Sequence, residues 1–133
     1  MALSEYLHEL LPVISQTLAS SAAEVDRLGE FPTANFALLR QHGLLSFALP
    51  ASAGGGGADL AACRAAIAAV AQGEPSTALI LIMQYLNARR LGDDASWPAE
   101  VRRQVAQSIA QHGALINALR VEPELGTPAR GEI

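Results

Sequence analysis

Lysine is absent from this 133-residue chain, and cysteine and tryptophan occur once each. All nine basic residues are therefore arginines, set against thirteen acidic ones for a net charge of −4. No basic stripe is available to track a phosphate backbone, so nucleic acid is excluded as a partner. A lone cysteine, Cys63, rules out an internal disulfide or a thiolate metal site and points to a reducing, cytoplasmic setting. Long hydrophobic runs are missing too. The most apolar one, Thr77 to Met83, is far shorter than the ~20 residues a bilayer requires, so no membrane partner is expected. Met1 to Glu5 lacks the basic region and apolar core of a secretory signal.

What is present is alanine and leucine. Half the residues are apolar but only 5% are aromatic, a balance that favours helix over strand. One core is the limit for this length. Apolar residues at Leu3, Leu7, Leu10, Ile14, Leu18, Val25 and Leu28 keep one helical face, which Pro12 should kink or divide before Gly29 ends it. Phe31-Pro32-Thr33 opens a short helix with Phe36, Leu38 and Leu39 inward and Gly43 as a left-handed stop. Pro50 to Gly57 is a loop. Asp59 caps a helix through Leu60, Cys63, Ile67 and Val70, closed by Gln72-Gly73. Pro75-Ser76 opens another, Thr77 to about Arg90, apolar on nearly every side between Ala78 and Met83, and such a helix must be surrounded. Ser96-Trp97-Pro98 starts the last, with Val101, Val105 and Ile109 inward and Arg102 and Arg103 on a solvated face. The expected fold is all-α, a bundle of about five main helices, with a short β segment, Leu115 to Val121, near the C-terminal end.

Candidate chemistry is sparse. Gly54 to Gly57 could cradle an anion, but no Gly-Lys-Ser/Thr follows and no spaced glycine fingerprint accompanies it, so a plain turn is expected. His42 and His112 precede glycines at helix ends, where they suit the negative pole, and with His8 they show no ligand spacing, so no metal site is expected. Cys63, with only Arg64 as a basic neighbour in sequence, reads as a core residue. Arg89-Arg90 sits at a helix C-terminus, which disfavours an anion. The most informative stretch is Ile116 to Gly131, where Val121-Glu122-Pro123 runs into Leu125-Gly126-Thr127 and its turn offers backbone N–H groups and a hydroxyl to an oxygen-rich ligand. Glu122 and Glu124 flank Pro123 and would point different ways from an extended chain.

In order along the chain stand Phe31-Pro32, Leu38-Leu39, Gly43-Leu44-Leu45, Pro50 with Gly54-Gly55, Pro75-Ser76-Thr77, and Glu122-Pro123 with Gly126-Thr127. This order resembles the N-terminal part of the acyl-CoA dehydrogenase family of flavoproteins. The resemblance implies a helical domain over residues 1–113 and, over 114–133, the first strand and flavin-side turn of a middle β domain. It implies FAD as cofactor, with Ala118, Leu119, Arg120 and Val121 beside the flavin ring and Gly126 and Thr127 near flavin or the ligand's polar part. The helix carrying Leu81, Gln84, Tyr85 and Ala88 would border the acyl thioester. The family commonly has Thr before Glu-Pro, where this chain has Val121, and Asp after the hydroxyl residue, where Pro128 follows.

By the same resemblance, the partners are the remaining domains of a parent flavoprotein, a homo-oligomer that oxidises an acyl thioester between its α and β carbons. The carboxylate that removes the α proton comes from a later domain in the family, so no residue here is expected to be catalytic and the chain alone should be inert. Two alternatives stand beside this reading. A flavin-dependent monooxygenase of the same fold is suggested by Val121 and Pro128, and a non-catalytic helical interaction module would dock a partner on Thr77 to Leu86.

Overall fold

The computed structural model describes residues 3–92 and 96–118, and five helices account for most of them. They are α1 (Leu3–Leu28), α2 (Thr33–Gln41), α3 (Leu60–Gly73), α4 (Pro75–Arg90) and α5 (Ala99–His112), with a 3-10 turn over Ala51–Ala53. α1 lies along α3, α3 lies against α4, and α5 closes over the 3-10 turn. Among the described residues there is no strand. Leu115–Ala118, the described part of the expected β segment, is irregular, because a strand needs a neighbouring backbone and none runs beside it here. Residues 119–121 of that segment lie outside the described residues.

Pro12 neither ends α1 nor divides it; one helix runs through it. Leu7 and Leu10 before it and Ile14 and Leu18 after it are all buried in the same core. Each such side chain contributes about 1.5–3 kcal/mol on burial, so together they outweigh the ~3 kcal/mol that an interior proline costs. The apolar face then runs out, leaving Leu28 half in solvent. Val101 of α5, expected inward, is also exposed, as is Leu60 of α3. The core continues through Phe36 and Leu39 of α2, Cys63, Ala66 and Val70 of α3, and Ala78, Leu81 and Tyr85 of α4. A smaller cluster of Leu49, Ala88, Leu91, Ala106 and Ile109 seats α5.

A single residue, Glu74, separates α3 from α4 and serves both. Its N–H donates to Val70 O at 2.8 Å, ending α3. Its buried carboxylate accepts from the N–H of Ser76 at 3.0 Å and of Thr77 at 2.8 Å, and from both hydroxyls, capping α4. Thr77 Oγ1 in turn accepts from Asn35 Nδ2 at 3.0 Å, which ties the cap to α2. Pro75 at the first helical position loses nothing, since its missing N–H would have been unpaired. Burial pushes the Glu74 carboxyl up, but the hydrogen bonds from Thr77 and Ser76 outweigh it and hold the group below its ordinary value.

Gly73 closes α3 for a reason the sequence does not display. A Cβ there would stand 2.5 Å from Ser15 O and 2.8 Å from Leu18 Cβ, so glycine is what lets α3 approach α1. Replacing it with alanine must part the two helices. Gly73→Ala is expected to cost about 1–3 kcal/mol, read as a lower urea midpoint at unchanged slope. Tyr85 offers the opposite case: its hydroxyl is buried without a partner, and burial pushes its pKa well up. Tyr85→Phe should therefore leave stability unchanged or raise it by up to about 1 kcal/mol, and a clear loss would reveal a partner for the hydroxyl.

The Glu74 cap predicts an acid limb. The native carboxylate gives up its proton at lower pH than in the unfolded chain, so between the two values the unfolded state binds more protons. Stability is fully present above about 4.5, the ordinary value, and falls as pH drops through the lowered native one. Glu74→Gln is expected to cost about 1–3 kcal/mol at neutral pH, with the gap to the wild type closing in acid. Urea unfolding of both proteins across pH 3 to 7 measures this, and the exposed Glu24–Arg27 and Glu100–Arg103 pairs cancel in the difference.

Candidate functional site

α4, expected to be central and to need more covering than this chain alone supplies, is covered on one side. Its inward side is Thr77, Ala78, Leu81, Gln84, Tyr85 and Ala88, all buried. The other side carries Leu79 at 63% and Leu86 at 58% exposure, with Met83 between them half-buried. Steps of four and three residues put these three on one stripe. The all-apolar sequence concealed which stripe would be covered.

The chain after α5 comes back to this stripe. Gly113, in the left-handed conformation at φ 65°, ends α5 and turns the backbone away from the helix axis. Leu115, Ile116 and Asn117 then form, with Leu79, Ile80 and Met83, the walls of a hollow of about 400 Å3. The lining is apolar except for Asn117, whose Oδ1 accepts from Ala118 N at 2.8 Å. A shelf of this kind can bind and dehydrate a flat or aliphatic group, but it holds no acid, base or nucleophile.

Of the residues expected to border an acyl group, Leu81, Gln84, Tyr85 and Ala88 are at most 3% exposed and face the domain's own core. Of those expected beside a flavin, Ala118 is exposed. Leu119, Arg120, Val121, Gly126 and Thr127 lie outside the described residues, as do Glu122 and Glu124. The residues that sequence reasoning missed are Leu79, Met83 and Leu86. Their spacing was visible, but it was masked by equally apolar residues on the inward side.

The remaining candidates are accounted for by local structure. The amides of Gly54, Gly55, Gly56 and Gly57 donate to the carbonyls of Ala51, Pro50, Ser46 and Leu49, so the glycine run has no free N–H to offer an anion. A Cβ at Gly55 would fall 2.3 Å from Leu49 O, and that close approach is why glycine stands there. Cys63 is buried; burial pushes its thiol pKa up, against the opposing influence of Arg89. Arg89, not Arg64, is thus the basic neighbour, brought in by the packing of α4 on α3. Its Nη1 donates to Ala58 O at 2.9 Å, within a hollow of about 790 Å3 that also holds Arg90 and the Asp59 carboxylate. Arg102, expected on a solvated face, instead donates from Nη1 to Gly92 O at 3.2 Å and Leu91 O at 3.5 Å, satisfying carbonyls at the end of α4. Asp59 caps α3 as expected, accepting from Ala62 N at 2.8 Å. No cluster of three or more His, Cys, Asp or Glu side chains that could hold a metal occurs among the described residues. No helix among them is long and apolar enough to cross a membrane.

Comparison with known proteins places this arrangement. Residues 9–96 match the family model described as "Acyl-CoA dehydrogenase, N-terminal domain". The chain is 35% identical over 118 residues to "Putative acyl-CoA dehydrogenase YdbM" of Bacillus subtilis (strain 168), a match covering 89% of this chain and 31% of that protein. It is 32% identical over 112 residues to "Probable acyl-CoA dehydrogenase fadE25" of Mycobacterium leprae (strain TN), covering 84% of this chain and 28% of the relative. The protein of that name in Mycobacterium tuberculosis (strain ATCC 25618 / H37Rv) is 31% identical over the same shares. The chain thus spans less than a third of the length of these relatives. With a five-helix fold, a family model matched from α1 to beyond α4, and relatives aligned along most of its residues, the chain belongs to the acyl-CoA dehydrogenase family and corresponds to its N-terminal domain.

Proposed function

We propose that this domain is one wall of the ligand cleft in an FAD-dependent acyl-CoA dehydrogenase, the parent oxidising an acyl thioester between its α and β carbons. The observation that carries the reading is the stripe of Leu79, Met83 and Leu86 on the outer side of α4, of which Leu79 and Met83 line the same hollow as Leu115 and Ile116. Such a stripe is what a domain presents where another domain or a ligand completes its burial. FAD, when bound, supplies the acceptor for the hydride. The residues described here fit one side of such a group: an apolar shelf that excludes water, bordered by the backbone leading to Ala118. Ala118, Leu119, Arg120 and Val121 would hold the ring's edge, and Gly126 and Thr127 its polar part or the thioester's.

The domain's work is binding and desolvation. Among the described residues no carboxylate lines the hollow, and the base that takes the α proton is assigned to another part of the parent. The acyl group is bordered by the exposed stripe of α4, and Leu81, Gln84, Tyr85 and Ala88 support that stripe from inside. The parent is a homo-oligomer working in the cytoplasm, with its other domains as this domain's partners. The relatives' names favour dehydrogenation over oxygen insertion, which Val121 and Pro128 would otherwise suggest.

Substitution separates the two sides of α4. In the 133-residue chain, Leu79→Gln should change stability by less than about 0.5 kcal/mol while reducing binding of an apolar dye, because the side chain is already in solvent. Leu81→Ala should cost about 2–5 kcal/mol. In the full-length parent, Leu79→Gln is expected to raise the KM for acyl thioester roughly tenfold or more without releasing flavin. A parent that binds no flavin, or one in which this substitution leaves KM and kcat untouched, would overturn the assignment.

A further inference from the structure

A lone amide in the middle of α4 is used to its full donor capacity. Gln84 is fully buried, where an unbonded carboxamide would be costly. Its Nε2 donates to Leu45 O at 3.1 Å and to Ala114 O at 3.0 Å, and its Oε1 accepts from Ile116 N at 2.8 Å. Both N–H groups and the oxygen are thereby spent, on three backbone groups from two separate loops. The last two of these groups are the carbonyl before Leu115 and the N–H after it. A residue on an adjacent parallel strand would engage the same pair, so the side chain of Gln84 stands in for a strand neighbour.

We propose that Gln84 is a positioning residue, a clip that sets the path and register of the chain as it leaves the helical domain for the flavin-side stretch beginning at Ala118. The inference rests on the functional reading above for what that stretch does, but the clip itself rests on the three bonds alone. The backbone from Ala114 to Ile116 has no strand beside it, and Ala118 follows the clipped N–H by two residues. A shift of one residue in an extended chain turns every side chain to the opposite face, so holding Leu115 in register determines which groups beyond it meet the cofactor. Gln84 is the single polar side chain in the span from Ala78 to Leu86 except for the Tyr85 hydroxyl.

Gln84→Met keeps the volume and removes all three bonds, while Ile116→Pro removes one N–H and leaves the residues of α4 unchanged. In the 133-residue chain, hydrogen exchange by NMR should show the Ile116 amide protected in the wild type. Its protection should fall roughly tenfold or more in Gln84→Met, with α5 amides such as Ile109 still protected. In the parent, both variants are expected to shift the flavin visible spectrum and weaken flavin retention. Gly73→Ala, which loosens the α1–α3 contact far from the clip, should do neither. Unchanged Ile116 exchange in Gln84→Met, or a wild-type flavin spectrum in both variants, would overturn the proposal. If Gln84→Met does not fold, Ile116→Pro decides by the same spectrum. A wild-type parent devoid of flavin would sink the functional reading instead, leaving the exchange experiment to decide the clip.

Discussion

One helix with two apolar sides and only one set of partners organises this molecule. α4 buries Ala78, Leu81, Tyr85 and Ala88 in the domain and leaves Leu79 and Leu86 outside it. Burial of the first side joins α4 to the core, where each large apolar residue contributes about 1.5–3 kcal/mol. The second side gains nothing until something covers it.

Such a helix needs fixing in rotation and along its axis, because an all-apolar surface specifies neither. Polar contacts do this. The Glu74 carboxylate and Thr77 hydroxyl hold the first turn against Asn35 of α2. Gln84 holds the middle against Leu45 and the chain after α5, and Arg102 reaches the carbonyls at the far end. Each group is costly if left unpaired, so the helix has one orientation in which all are satisfied. That orientation presents Leu79 and Met83 to the hollow beside Leu115.

Much of the fold could be read from local pattern. The Asp59 cap, the left-handed Gly29 and Gly43, and the loop at Gly54–Gly57 follow from the conformational demands of single residues, and the structure agrees at each. The readings that failed had a common cause. Pro12 was expected to kink or divide α1, and it does not divide it, since four buried side chains on the same face keep the helix in one piece. Val101 was placed inward by periodicity, but periodicity identifies a face without saying where its cover ends. Arg102 was assigned to solvent because the carbonyls it reaches are some ten residues away in sequence.

Sequence alone determined the helical class, the positions of caps and turns, and the family, because these depend on residue type, spacing and order along the chain. Tertiary structure decided which half of α4 is interior, why Gly73 must be glycine, that Arg89 rather than Arg64 neighbours Cys63, and that Gln84 grips the segment after α5. These depend on groups that are 26 to 58 positions apart in the chain and meet only when the helices pack. No local pattern encodes the side of an all-apolar helix that its neighbours will occupy, since that side is set by the shape of the space the other four helices leave.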